Sequence, residues 1–157
     1  MILITIWSSL LPSHNPESEP DEAGLIRDET GTQSLIGYVV DINAGDGSGR
    51  CWLDIGPQHT NRHKALHGGI VTCLLDNASG TTGSLTVDET GKAPFLTISM
   101  NTHYVAPAYK GRVTATGRVT GGGRSILFID AELLDEDGRT IATSSGVFKR
   151  VPPERLK

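Results

Sequence analysis

From Asn61 to Gly80 the chain reads N-R-H-K-A-L-H-G-G-I-V-T-C-L-L-D-N-A-S-G, and its hydrophobic pattern changes at the two glycines. After Gly68 and Gly69, the residues Ile70, Val71, Leu74, Leu75 and Ala78 leave no obvious solvent face. That spacing predicts a helix from about His67 to Leu85. Asp76 is the only formal charge between Lys64 and Asp88. An ionised carboxylate enclosed by apolar neighbours is costly unless something pairs with it. The helix therefore demands a structural partner or a substrate for this acid.

Downstream the period switches from helical to alternating. Phe95 to Val105 places Leu96, Ile98, Met100 and Tyr104 on one face, with Thr97, Ser99, Asn101 and His103 on the other. Arg112 to Thr120 sets Val113, Ala115 and Val119 opposite Arg112, Thr114, Thr116 and Arg118. Gly121-Gly122-Gly123 turns the chain into Ser125 to Leu134, with Leu127, Ile129, Ala131 and Leu133 on one side. Asp137-Gly138 signals a hairpin before Thr140 to Lys149.

Upstream the signals are weaker. Pro12 to Pro20 reads as a polar linker, Asp21 to Glu29 as a short helix, and Leu35 to Ile42 as a first strand. Gly45-Asp46-Gly47-Ser48-Gly49 invites a phosphate-loop reading, but such a loop feeds a helix. Here the chain enters Cys51 to Ile55, an alternating strand, so a hairpin turn is the better reading. The order is then strand, strand, long helix and four antiparallel strands. That is an α+β architecture of about six strands, in which the sheet curls around one central helix or another subunit covers it. The expected organisation is an extension and linker over 1–30, a single domain over 31–151 and a mobile tail over 152–157.

Composition narrows the partners. With 14 basic and 18 acidic side chains the net charge is −4, which argues against non-specific nucleic-acid binding. Met1 to Leu11 is apolar but too short to span a bilayer, and it lacks a basic n-region and a cleavage site. It reads as an extension that packs on its own sheet or a neighbouring subunit, with no membrane role. Cys51 and Cys73 lack C-x-x-C spacing and read as buried, reduced thiols of a cytoplasmic protein.

His67-Gly68-Gly69 followed by Asp76 resembles the signature of hotdog-fold thioesterases of the PaaI-like, phenylacetate-pathway type. Asn61 upstream, Thr97-Ile98-Ser99-Met100-Asn101, Val105-Ala106-Pro107-Ala108 and Gly123-Arg124-Ser125 extend the resemblance over roughly Leu35 to Arg150. It implies a sheet wrapped around the helix, with protomers joined edge to edge as a homodimer or homotetramer and the active site at the dimer interface. It also implies hydrolysis of acyl-coenzyme A thioesters with no metal or prosthetic group, coenzyme A entering as part of the substrate.

Gly68 and Gly69 sit where a helix N-terminus offers unpaired N–H groups to a developing oxyanion, and without side chains a carbonyl can approach them closely. The resemblance assigns Asp76 as nucleophile or general base, Thr97 as its orienting hydroxyl, and Asn61 as a positioning group across the interface. His67 would lie near the carbonyl or shape the turn, and Arg124 and Ser125 would grip the coenzyme A phosphates beside Gly69.

Rival readings are weaker. His59, His63 and His67 recur every fourth residue, but Pro57 and the paired glycines interrupt a helix there, and no carboxylate or Cys completes a zinc set. No G-x-S-x-G elbow is present, and neither cysteine has an adjacent histidine in any predicted element. The remaining alternative is an acyl-CoA- or lipid-binding protein of the same fold without turnover.

Overall fold

The computed structural model describes residues 23–152. The expectations for the apolar leader, the proline linker and the last five residues lie outside the described residues. In chain order the elements are β1 (Leu25–Ile26), α1 (Gly31–Ile36), β2 (Val39–Asp41), β3 (Arg50–Asp54) and a 3₁₀ turn at Pro57–His59. There follow α2 (Gly68–Leu85), β4 (Phe95–Tyr104), β5 (Arg112–Gly122), β6 (Ile126–Asp135) and β7 (Thr140–Arg150).

The strands form one antiparallel sheet in the order β1-β2-β3-β5-β6-β7-β4, and α2 packs along its inner face. The expected α+β hotdog architecture is what the chain adopts. The core joins Val71, Leu74, Leu75 and Ala78 of α2 to Val113, Ala115, Leu133 and Ala142 of the sheet. Packing is closest at Gly117, where an added Cβ would lie 2.3 Å from Thr82 Oγ1 and 2.8 Å from the Ala78 carbonyl oxygen. Only a glycine lets the helix approach the strand this closely.

Three local expectations fail for physical reasons. Leu35 and Ile36 are not in a strand but close a single helical segment. Thr30 caps it by accepting the Gln33 N–H at 3.1 Å, and Gly37 ends it at φ 82°. Cap chemistry there outweighs the β-preference of the two aliphatics. Residues 25–26, expected in a helix, are instead extended and pair with Val40 and Asp41, giving a seventh strand. Gly121 and Gly122 belong to β5, so the turn into β6 is shorter than the three glycines suggested.

The fourth departure matters most for the site. In β4, Thr97 pairs with Phe148 and Ser99 with Val147, so Ile98 is the extra residue of a β-bulge. Thr97 therefore shares the inward side with buried Phe148, while Leu96 and Ile98 are 56% and 58% exposed. A continuous alternation would have aimed Thr97 away from the helix.

Candidate active site

Helix α2 starts where the sequence places its glycines. His67 is the N-cap, and its Nδ1 accepts the Gly69 N–H at 2.9 Å, so the ring proton sits on Nε2. The Ile70 and Val71 N–H groups turn back to the His67 carbonyl. The Gly68 N–H is then the first-turn donor with no acceptor among the described residues. Of the two expected donors, Gly69 is spent on the histidine cap and Gly68 remains open.

Tyr104, at the far end of β4, braces this turn. Its hydroxyl lies 2.8 Å from Thr72 Oγ1 and donates to the Gly68 carbonyl at 3.2 Å. A Cβ on Gly68 would fall 3.3 Å from the tyrosine ring. Sequence reasoning placed Tyr104 only as an apolar strand position. A two-letter hydrophobic pattern counts the ring and ignores the hydroxyl, so nothing in it marked the residue.

Two turns further on, Thr97 Oγ1 donates to Asp76 Oδ1 at 2.6 Å, a charge-assisted bond that leaves Oδ2 without a hydrogen-bond donor among the described residues. The structure thus brings together the acid and the hydroxyl that the resemblance paired. Asp76 is half-buried rather than enclosed, because it lines a cavity of about 410 Å³ shared with Tyr38, Asn77, Gly80, Phe95 and Thr97. The Tyr38 hydroxyl donates to Asn77 Oδ1 at 3.0 Å, and Asn77 Nδ2 donates to the Cys73 carbonyl at 2.8 Å. Burial pushes the Tyr38 hydroxyl above its ordinary pKa, so it stands in the cavity as a neutral phenol.

Burial, reinforced by the charge of Asp76, likewise pushes the Cys73 thiol up, and burial does the same at Cys51. Both stay protonated, which removes them as thiolate nucleophiles.

Other candidates lie apart. The Asn61 side-chain oxygen accepts the N–H groups of His63 at 2.8 Å and Ala65 at 3.3 Å, shaping its own turn, and no hydrogen bond joins it to Asp76. Arg124 and Ser125 occupy the β5–β6 hairpin, where the Ser125 carbonyl accepts the Arg150 N–H at 2.9 Å. No hydrogen bond links either to Asp76. His59 Nδ1 accepts the Gly56 N–H at 2.9 Å and its Nε2–H donates to the Ile36 carbonyl at 2.8 Å, pinning α1. Among the described residues no three His, Cys, Asp or Glu side chains gather as a ligand set. Nor is any helix among them long and apolar enough to cross a membrane.

Comparison with known proteins bears on this geometry. The family model described as thioesterase superfamily matches residues 63–142. Human acyl-coenzyme A thioesterase 13 is 31% identical over 112 residues, covering 70% of this chain and 78% of the relative. A thioesterase of Haemophilus influenzae superposes with a TM-score of 0.73 at 18% identity, covering 82% of this chain and 89% of that one. The Escherichia coli PaaI protein from the phenylacetic acid degradation operon superposes at 0.65 with 20% identity, covering 79% and 86%. These two likenesses carry the fold.

Proposed function

This chain belongs to the thioesterase superfamily and is an acyl-CoA thioesterase; from that premise we propose that Asp76 drives hydrolysis of an aryl or short-to-medium acyl-CoA at the start of α2. The observation that carries the proposal is the 2.6 Å bond from Thr97 to Asp76, set beside a cavity and two turns from an open helix N-terminus. The substrate carbonyl oxygen lies at the Gly68 N–H of one protomer, where the unpaired donor and the helix dipole favour negative charge, and the acid is Asp76 of the partner subunit, because on one helix the two stand about 12 Å apart. Asp76 accepts a proton from water as the water oxygen bonds to the carbonyl carbon. The oxyanion then collapses, the C–S bond breaks, and the leaving thiolate takes the proton from Asp76. Thr97 holds the carboxylate in place throughout.

A second copy of the chain completes the site. Strand β4 is an edge strand that exposes Leu96, Ile98 and Tyr104, with exposed Val105 just beyond its end, a surface that invites pairing with another β4. Such pairing gives Asn61 a route to the partner's Asp76, which its own protomer does not offer. Arg124, from the β5–β6 hairpin, suits a coenzyme A phosphate. Two thiols held in the reduced state fit a reducing compartment such as the cytoplasm.

Thiol release from a panel of acyl-CoAs, run with the wild type and Asp76→Asn at matched fold and association state, tests the reading. Loss of kcat by about 10²–10⁴-fold is expected. Equal turnover by the variant overturns it. In a single turnover in ¹⁸O water, label in the Asp76 carboxylate identifies direct attack through an anhydride opened at the aspartyl carbon, an outcome that attack by water on the thioester never gives.

A further inference from the structure

The peptide between Gly68 and Gly69 is held at both ends. Its N–H donates to His67 Nδ1 at 2.9 Å, and its carbonyl accepts the Tyr104 hydroxyl at 3.2 Å. That hydroxyl also stands 2.8 Å from Thr72 Oγ1, about one turn along the same helix. With the phenol proton directed at the carbonyl, the threonine donates to the phenol, and the three groups form a short chain of bonds running one way. The preceding peptide, His67–Gly68, is fixed through its carbonyl, which takes the Ile70 and Val71 N–H groups at 2.9 and 3.1 Å. The Gly68 N–H, open among the described residues, lies between these two anchored peptides.

Two glycines in succession are the residues least able to hold a direction unaided. A donor stabilises developing charge in proportion to how well it is aimed beforehand. The histidine cap is part of the turn it restrains, whereas Tyr104 reaches in from the end of β4, 36 positions along the chain, and ties the turn to the sheet. Packing alone does not account for its hydroxyl. Tyr104 is 59% exposed, and it is the ring that covers the bare side of Gly68, 3.3 Å from where a Cβ would stand. A phenylalanine would fill that space equally. What the hydroxyl adds is direction, because both of its bonds among the described residues go to the start of α2.

We propose that Tyr104 is a positioning residue for hydrolysis: its hydroxyl fixes the Gly68–Gly69 peptide so that the Gly68 N–H keeps its aim as charge grows on the thioester oxygen. This rests on the hydrolytic reading above and adds a residue to that site. With Thr97 near its start and Tyr104 at its end, β4 steadies an acid for one site of a pair and a donor for the other.

The test measures steady-state hydrolysis of phenylacetyl- and octanoyl-CoA by the full chain, by Tyr104→Phe and by Thr72→Val. Tyr104→Phe should lower kcat by about tenfold or more and leave KM within about twofold, since the lost effect belongs to the transition state. Inhibition by free coenzyme A, which has no carbonyl to polarise, should not change. Tm should stay within about 3 °C of the wild type. Placing 4-aminophenylalanine at position 104, which restores a donor at the same reach, should recover most of the lost kcat. Thr72→Val should cost less than Tyr104→Phe, and should cost nothing further in the Tyr104→Phe background. Wild-type kcat in Tyr104→Phe while Asp76→Asn is inactive overturns this inference alone, as do a loss confined to KM and equal Thr72→Val losses in both backgrounds. A fall in kcat that disappears when rates are corrected for the folded fraction also overturns it. Absence of turnover with every ester in the wild type overturns the hydrolytic reading and this inference with it.

Discussion

Strands β6 and β4 are both ten residues long, lie in one sheet and alternate equally well on paper, yet only one keeps its pattern. In β6, Ile129 and Leu133 are fully buried, facing inward as their spacing requires. In β4, Ile98 is 58% exposed and Thr97 takes the inward place. The difference lies in which strand carries the extra residue. β6 is paired on both sides and carries no extra residue itself; the register shifts in its two ladders place the extra residues at Thr120 of β5 and Ile141 of β7. Among the described residues β4 is an edge bonded to β7 alone, and it carries its extra residue, Ile98, itself. The irregularity falls where a hydroxyl must reach Asp76. Bulges in β5 and β7 show that irregularity alone does not mark a site; the bulge in β4 does so because it turns a hydroxyl onto Asp76.

Matched substitutions on the two strands sharpen this contrast. Ile129→Ala removes a fully buried side chain and should lower unfolding free energy by about 2–5 kcal/mol in denaturant titrations. Turnover per folded molecule should not change, since Ile129 is not among the residues lining the cavity beside Asp76. Thr97→Val on β4 should do the reverse. It preserves shape but deletes a hydrogen bond to a charged group, of a kind worth about 1.5–3 kcal/mol, or roughly 10–100-fold in kcat. Its melting temperature should stay close to the wild type, and Thr97→Ser should recover activity. Full activity in Thr97→Val would make the bulge a feature of folding alone.

How much of this was legible depends on the range of the forces involved. Helix α2 was read to within a residue because its cap, its glycines and its apolar run are all local. The turn at Asp137-Gly138 was equally local, and Gly138 takes φ 79°. The pairing of Asp76 with Thr97 spans 21 positions and was visible only through family resemblance. The half-exposed state of Asp76 was missed because the pattern counts neighbours along the chain. The space beside the carboxylate is walled by Gln33 of α1 and by residues of the 91–95 segment, which the sequence places far from Asp76. Helix α1 itself was hidden by one capping threonine, and Tyr104 by a hydroxyl that hydropathy ignores.

The smallest expected effect discriminates most sharply, because it uses the same residue type as the largest. Ile98→Ala on β4 deletes the same atoms as Ile129→Ala, but from a side chain that is mostly exposed within its protomer. Within one protomer the loss of stability should stay inside about 0.5 kcal/mol. If β4 pairs with a second copy, Ile98 is covered there, and the substitution weakens association instead. That loss appears as a melting temperature that falls with dilution more steeply than in the wild type, since binding stabilises by mass action. Sedimentation across the same concentrations should show the variant dissociating first. A loss above about 1 kcal/mol that is independent of protein concentration would place Ile98 in the protomer core. The alternation of β4 would then hold as written, and the contrast between the two strands would fail.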